Sequence, residues 1–171
     1  MAASYAGIGS RGCPADICSL MTDIARFLCN QGIVLRSGGA NGADSAFEAG
    51  VDKEEMKEIY LPWPAFNNNR SQRWGVNARA SLLAEEHHPA WRALGFAAKK
   101  LIARNGFQVL GESLEDPVKF IVCWTKDGRA TGGTGQAIRI AKSKDIPVFN
   151  LFRKDDLKHV LECMKTHQVF A

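Results

Sequence analysis

A chain of 171 residues, 46% apolar and 23% charged, is long enough to bury a sizeable core and has the make-up of a globular protein. Its apolar runs are too short to cross a bilayer, and the first residues lack a secretory pattern, so no membrane partner is expected. A net charge of +4 permits a nucleotide or a nucleic acid as partner without demanding one.

In chain order, short apolar runs alternate with amphipathic segments. Ser4 to Ile8 reads as a strand, and Pro14 to Asn30 as a helix with Ile17, Leu20, Met21, Ile24, Phe27 and Leu28 on one face. Ile33 to Arg36 is the second strand, Ala43 to Ala49 the second helix, and Glu58 to Leu61 a third strand stopped by Pro62 and Pro64. The pattern then breaks down in an insert at about 62–91, partly helical from Val76 to His87. A clearer helix is predicted from Pro89 to Arg104, with Leu94, Ala97, Ala98, Leu101 and Ile102 as its stripe. Phe120 to Trp124 is the fourth strand, Gly135 to Lys142 a helix, Pro147 to Leu151 the fifth strand, and Asp155 to Lys165 the last helix. Continuous apolar strands separated by helices predict an α/β fold, a Rossmann-like three-layer sandwich around a parallel sheet of about five strands, in one domain over 1–171.

The five cysteines are scattered, form no CxxC pair and sit mostly in apolar settings, which favours reduced thiols. A cytoplasmic location follows, in a bacterium or a phage-infected cell. Cys13 alone lies in a loop where a ligand can reach it.

Three glycine-rich loops follow strand-like runs: GIGSRG (Gly7 to Gly12), SGGANGADSAFEAG (Ser37 to Gly50) and TGGTGQAIRIAKSKD (Thr131 to Asp145). Glycine lets backbone N–H groups approach an anion, and a helix N-terminus adds partial positive charge. In a doubly wound sheet such loops gather beyond the carboxyl ends of the strands, where ligands bind. A phosphate-bearing ligand is therefore expected.

These three motifs resemble the Rossmann core of the DNA-processing A (DprA/Smf) family, within the wider SMF/LOG (SLOG) superfamily. The resemblance covers the first fifty residues and Lys119 to Leu151, and implies a nucleotide-type pocket or, in recombination mediators, a site for single-stranded DNA. The matching positions are Gly9, Ser10 and Arg11; Ser37, Gly38, Gly39, Gly42 and Asp44; and Gly132, Gly133, Thr134 and Gly135. Mediators carry extra domains for which this chain has no room, so it looks like a stand-alone form of the size found in phages and mobile elements. The LOG branch, which cleaves nucleoside monophosphates, resembles GGxGTxxEE at the third loop. Here Ile138 and Arg139 stand where its two glutamates would be, so turnover is not expected.

Among individual residues, Arg11 and Thr134 suit a phosphate. Asn41 completes the second loop, and Asp44 is either a helix N-cap or a ribose ligand. Glu48, one turn beyond Asp44, shares its face; the two are the remaining acid/base candidates, or Glu48 is a partner for a nearby cation. Arg36 ends a strand at the site edge or is structural, and Arg129 flanks the third loop with Lys126. Asn67, Arg70, Arg73 and Trp74 form either a base-stacking segment or a solvated loop with buried tryptophans. No metal or cofactor site is expected. The leading expectation is a binding protein for a nucleotide or nucleotide-derived small molecule, a sensor or sequestering protein. The alternatives are a single-stranded DNA-binding recombination mediator and a nucleoside-phosphate N-glycosidase. Exposed apolar residues on the Pro89 to Arg104 helix would allow a homo-oligomer.

Overall fold

Tyr5 and Ala6, adjacent in the first strand, are both fully buried but belong to separate core clusters on opposite faces of the sheet. That pattern requires a sheet covered on both sides. The computed structural model describes residues 2–170 and contains such a sheet. Its six parallel strands are β1 (Ser4–Gly7), β2 (Val34–Ser37), β3 (Lys57–Leu61), β4 (Arg73–Trp74), β5 (Ile121–Cys123) and β6 (Val148–Asn150), in the order β4-β3-β2-β1-β5-β6. Six helices surround it: α1 (Ala15–Asn30), α2 (Ala43–Ala49), α3 (Ala78–His87), α4 (Phe96–Leu110), α5 (Gly132–Ser143) and α6 (Lys154–Lys165). Met21, Ile24, Leu28, Phe47 and Val160 bring α1, α2 and α6 onto one face, while Phe107, Leu110, Ile138 and Ile140 bring α4 and α5 onto the other. Among the described residues no helix is long and apolar enough to cross a membrane.

The predicted elements are present, with instructive shifts. The sixth strand, β4, lies inside the 62–91 insert and pairs Arg73 with Tyr60 and Trp74 with Leu61. Two residues are too few to create a readable alternation. The helix expected from Pro89 to Arg104 instead begins at Phe96, after a single 3-10 turn (Trp91–Ala93) and the N-cap Gly95. It then runs on to Leu110, through Asn105 and Gly106, because tertiary contacts outweigh the low helix propensity there. Residues 102–110 are buried all round, between the sheet, α3 and α5. Helix α5, by contrast, starts three residues early, at Gly132.

The strand order places the topological switch between β1 and β5. From β1 the chain winds outward through β2, β3 and β4; α3 and α4 then carry it back across to β5 and β6. The loops that leave the carboxyl ends of β1 and β5 therefore open onto a crevice at the switch point.

An aromatic cluster anchors the α1/α6 face. Phe120 stacks on Tyr5 at 5.8 Å between ring centroids and meets Phe149 at 6.0 Å and Phe170 at 5.4 Å. Phe120→Ala is expected to cost about 3–5 kcal/mol. The Tyr5 hydroxyl is buried with no hydrogen-bond partner among the described residues. Tyr5→Phe should therefore leave stability unchanged or raise it by about 1 kcal/mol. Urea unfolding midpoints of the two variants check both outcomes.

Candidate functional site

A cleft of about 880 Å³ opens at the switch point. One wall comes from the first and third glycine loops: Gly9, Ser10 and Arg11 after β1, then Lys126, Thr131, Gly132, Gly133 and Thr134 after β5. The other wall is apolar and is built by Leu94, Ala98, Leu101 and Ile102 before and along α4. Asp44, Arg104, Asn105 and Gln108 form the buried floor.

Asp44 is 4% exposed and decides how the loops are used. Its carboxylate accepts the backbone N–H of Ala40 at 3.3 Å, and those of Gly9 and Gly38 as well. The loop N–H groups that the sequence offers to a phosphate are thus taken up by a carboxylate of the chain itself. Asp44 is not the N-cap of α2; Gly42 occupies that position, and Asp44 sits inside the first turn. Burial pushes the Asp44 pKa up to about 6, against the opposing pull of Arg104 and the three N–H groups. Arg104, 6% exposed, donates from Nη1 to the carbonyl of Gly38 and, at 3.2 Å, to that of Tyr60. Its guanidinium also lies 5.7 Å from the Phe66 ring centroid. A Cβ at Gly38 would collide with Gln108 Nε2 and Arg104 Nη1, so glycine is needed there for space.

Several residues expected at the site lie outside the cleft lining. Ser37 Oγ donates to the Gly7 carbonyl at 2.6 Å and locks β2 to β1. Gly39 and Gly135 are buried, and Gly42 takes φ +81 to pass close to the Arg11 carbonyl. Asn41 and Arg129 are exposed, clear of the lining. Arg36 is structural. Its Nε pairs with Glu58 at 2.8 Å and its Nη2 with Asp116 at 2.5 Å, which ties β2 to β3 and to the segment after α4. Asn67, Arg70, Arg73 and Trp74 line a separate cavity of about 1260 Å³ beside β4, so they do not supply stacking in the glycine cleft. Glu48 belongs to that second cavity too, where Asn69 Nδ2 holds both its oxygens at 3.0–3.2 Å. Asp44 and Glu48 therefore line different cavities. Ile138 packs in the core, and Arg139 donates to the carbonyls of His87 and Ala130. Cys13 is half-buried; burial and the neighbouring Cys18 push its thiol up to about 12, which keeps it neutral.

Arg104, Asn105 and Gln108 are the floor residues that the sequence reading missed. Their signal is a cluster of polar side chains carried on a helix segment that is otherwise apolar and ends in Phe107, Val109 and Leu110.

No protein-family model and no curated protein matches the chain. Among solved structures it is similar to DNA processing protein A from Helicobacter pylori, described for its unique single-stranded DNA binding mode. The two share 16% identity and superpose with a TM-score of 0.60 over 96% of this chain and 80% of that one. The fold is therefore a DNA-processing-A-like α/β fold.

The Asp44 carboxyl carries a pH signature. Its folded pKa of about 6 lies above the ordinary value of 3.8, so the folded state binds the proton more tightly than the unfolded chain. Its contribution to stability is greatest below about pH 4 and is lost as the pH rises through about 6. Relative to Asp44→Asn, the wild type should gain on the order of 3 kcal/mol between pH 7 and pH 4. Urea midpoints of both proteins across that range test this, and parallel curves would contradict it.

Proposed function

We propose that this chain binds single-stranded DNA, with the sugar-phosphate backbone on the polar wall of the cleft between the β1 and β5 loops. The observation that carries the reading is the set of donors left free along that wall once Asp44 has taken the loop N–H groups. Arg11 and Lys126 are exposed and form no ion pair among the described residues. The N-terminus of α5 points its first N–H groups outward with no side-chain cap, beside Thr134. Cations next to a helix N-terminus suit the repeated anion of a strand backbone. The likeness to a single-stranded DNA-binding protein supports the same reading, as does the net charge of +4.

A second reading, a nucleotide or nucleotide-derived small molecule, is favoured by the size of the cleft. Its volume of about 880 Å³ falls within the range of small-ligand sites. Either ligand would use the same wall.

Fluorescence anisotropy with a labelled dT oligonucleotide, from 50 to 200 mM salt, separates the two. Binding should weaken with salt by a log–log slope of about −0.7 for each phosphate neutralised. Arg11→Ala and Lys126→Ala should each weaken binding about tenfold and lower the slope by about 0.7. Absence of binding at 50 mM salt would refute the strand reading, whereas a thermal shift with mononucleotides alone would favour the second.

A further inference from the structure

Three sulfur-bearing side chains meet where the first glycine loop enters α1. The Cys13 thiol donates to Met21 Sδ at 3.9 Å. The Cys18 thiol donates to the Cys13 carbonyl at 3.6 Å and lies beside the Cys13 thiol. Cys18 and Met21, three residues apart on α1, share one helix face. Cys13 reaches that face from the loop, where its N–H donates to the Ser10 carbonyl at 3.3 Å. Met21 is fully buried and both cysteines are half-buried, so the cluster has a closed back and an accessible front. None of the three lines either cavity, which makes the cluster independent of strand binding.

Thiolate and thioether are soft ligands, and a set made only of them selects Cu(I) over harder cations. Three sulfurs bonded at about 2.3 Å to one ion in a trigonal plane lie about 4 Å apart. The Cys13–Met21 separation of 3.9 Å already matches that spacing. Zinc takes four ligands, commonly with imidazole or carboxylate among them. Among the described residues no group of three His, Cys, Asp or Glu side chains gathers to supply such a set. Two thiolates around one Cu(I) leave a single negative charge, which the N-terminal dipole of α1 offsets. Asp16, in the same first turn, opposes it from an exposed position where solvent screens its charge.

We propose that Cys13, Cys18 and Met21 form a trigonal three-sulfur site for a single Cu(I) ion. Binding breaks the two S–H bonds and forms two copper–thiolate bonds and one copper–thioether bond, and both protons pass to solvent. No electron is transferred, so the ion remains Cu(I). The bound ion would clasp Cys13, at the end of the first glycine loop, to the buried face of α1. Spacing alone hides the set, because Cys13 precedes the helix and Met21 reads as an ordinary core residue of its apolar face.

The test titrates the reduced full chain with Cu(I) without oxygen, against a competing chromophoric chelator. Wild type should retain one equivalent, gain a sulfur-to-copper charge-transfer band, and show three sulfur neighbours by X-ray absorption. Cys13→Ser and Cys18→Ser should each weaken binding by more than about 100-fold, beyond the usual loss from an outer-shell change. Met21→Leu, which keeps the volume, should weaken it about tenfold and leave two sulfurs around the metal. Circular dichroism and the urea midpoint check that the variants fold, and the wild-type stoichiometry and sulfur count test the proposal even if they do not. No copper retained by wild type, or nitrogen and oxygen neighbours in place of sulfur, would overturn it. So would undiminished binding by Cys13→Ser, which would move the ion elsewhere, for instance to Cys163 and His159, 3.6 Å apart on α6.

Discussion

The carboxylate of Asp44 ties together the loops that leave the neighbouring strands β1 and β2. It accepts N–H groups from Gly9, beyond β1, and from Gly38 and Ala40, beyond β2. Arg104 approaches the same point from α4 on the opposite layer and binds the carbonyls of Gly38 and Tyr60. Three strand ends and a helix are thus fixed relative to one another around two buried opposite charges. Desolvation makes such an arrangement expensive, and the carbonyls of Gly38, Tyr60 and Leu101 that accept from Arg104, with the N–H of Ala40 on Asp44, offset part of that cost. The two charges respond differently to loss of a partner. Without Arg104 the Asp44 carboxylate loses the pull that opposes its desolvation, whereas protonation of Asp44 relieves that desolvation. The glycine at position 38 follows from this arrangement, since a side chain there would occupy the space of Arg104 and Gln108.

This interaction also redistributes the work of the glycine loops. Two of them are closed by an internal anion, so they serve as rigid supports more than as phosphate cradles. The groups that Asp44 does not reach, and that the proposed strand binding would use, are the Arg11 and Lys126 side chains and the uncapped start of α5. The third loop, which carries the least distinctive motif in the sequence, becomes the one whose N–H groups face the cleft.

Much of this was legible in the sequence, and what was not has physical causes. The boundaries of α2 were read correctly, and those of α1 to within a residue, because an apolar face bounded by Pro14 and by glycines leaves little choice. The convergence of Gly9, Arg11, Asp44 and Gly132 on one cleft follows from their places at strand ends. The floor was not legible. Arg104 and Gln108 sit one turn apart, as two polar residues on the exposed face of a helix would, and periodicity cannot tell a buried polar face from a wet one. The placement of the insert was not legible for a different reason. Trp74 and Arg73 have the composition of a base-stacking segment, but β4 places them on the outer edge of β3, against a different cavity.

Under the proposed strand binding, the division of the cleft into a cationic wall and an apolar wall bears on which nucleic acid would fit. Several of the chain's arginines are held in ion pairs: Arg26 with Asp23, Arg36 with Glu58 and Asp116, Arg73 with Glu112, Arg79 with Glu115. The cations that line the cleft are Arg11, Lys126, Arg139 and the buried Arg104, so phosphate neutralisation there would engage few groups. The apolar slab of α4 adds affinity only if the face of a base can reach it. A duplex must unstack and unpair a base to meet that wall, at a cost of a few kcal/mol, whereas a single strand presents its bases with little such penalty. The same apolar wall that makes the cleft unlike a simple phosphate site therefore favours single strands over duplexes.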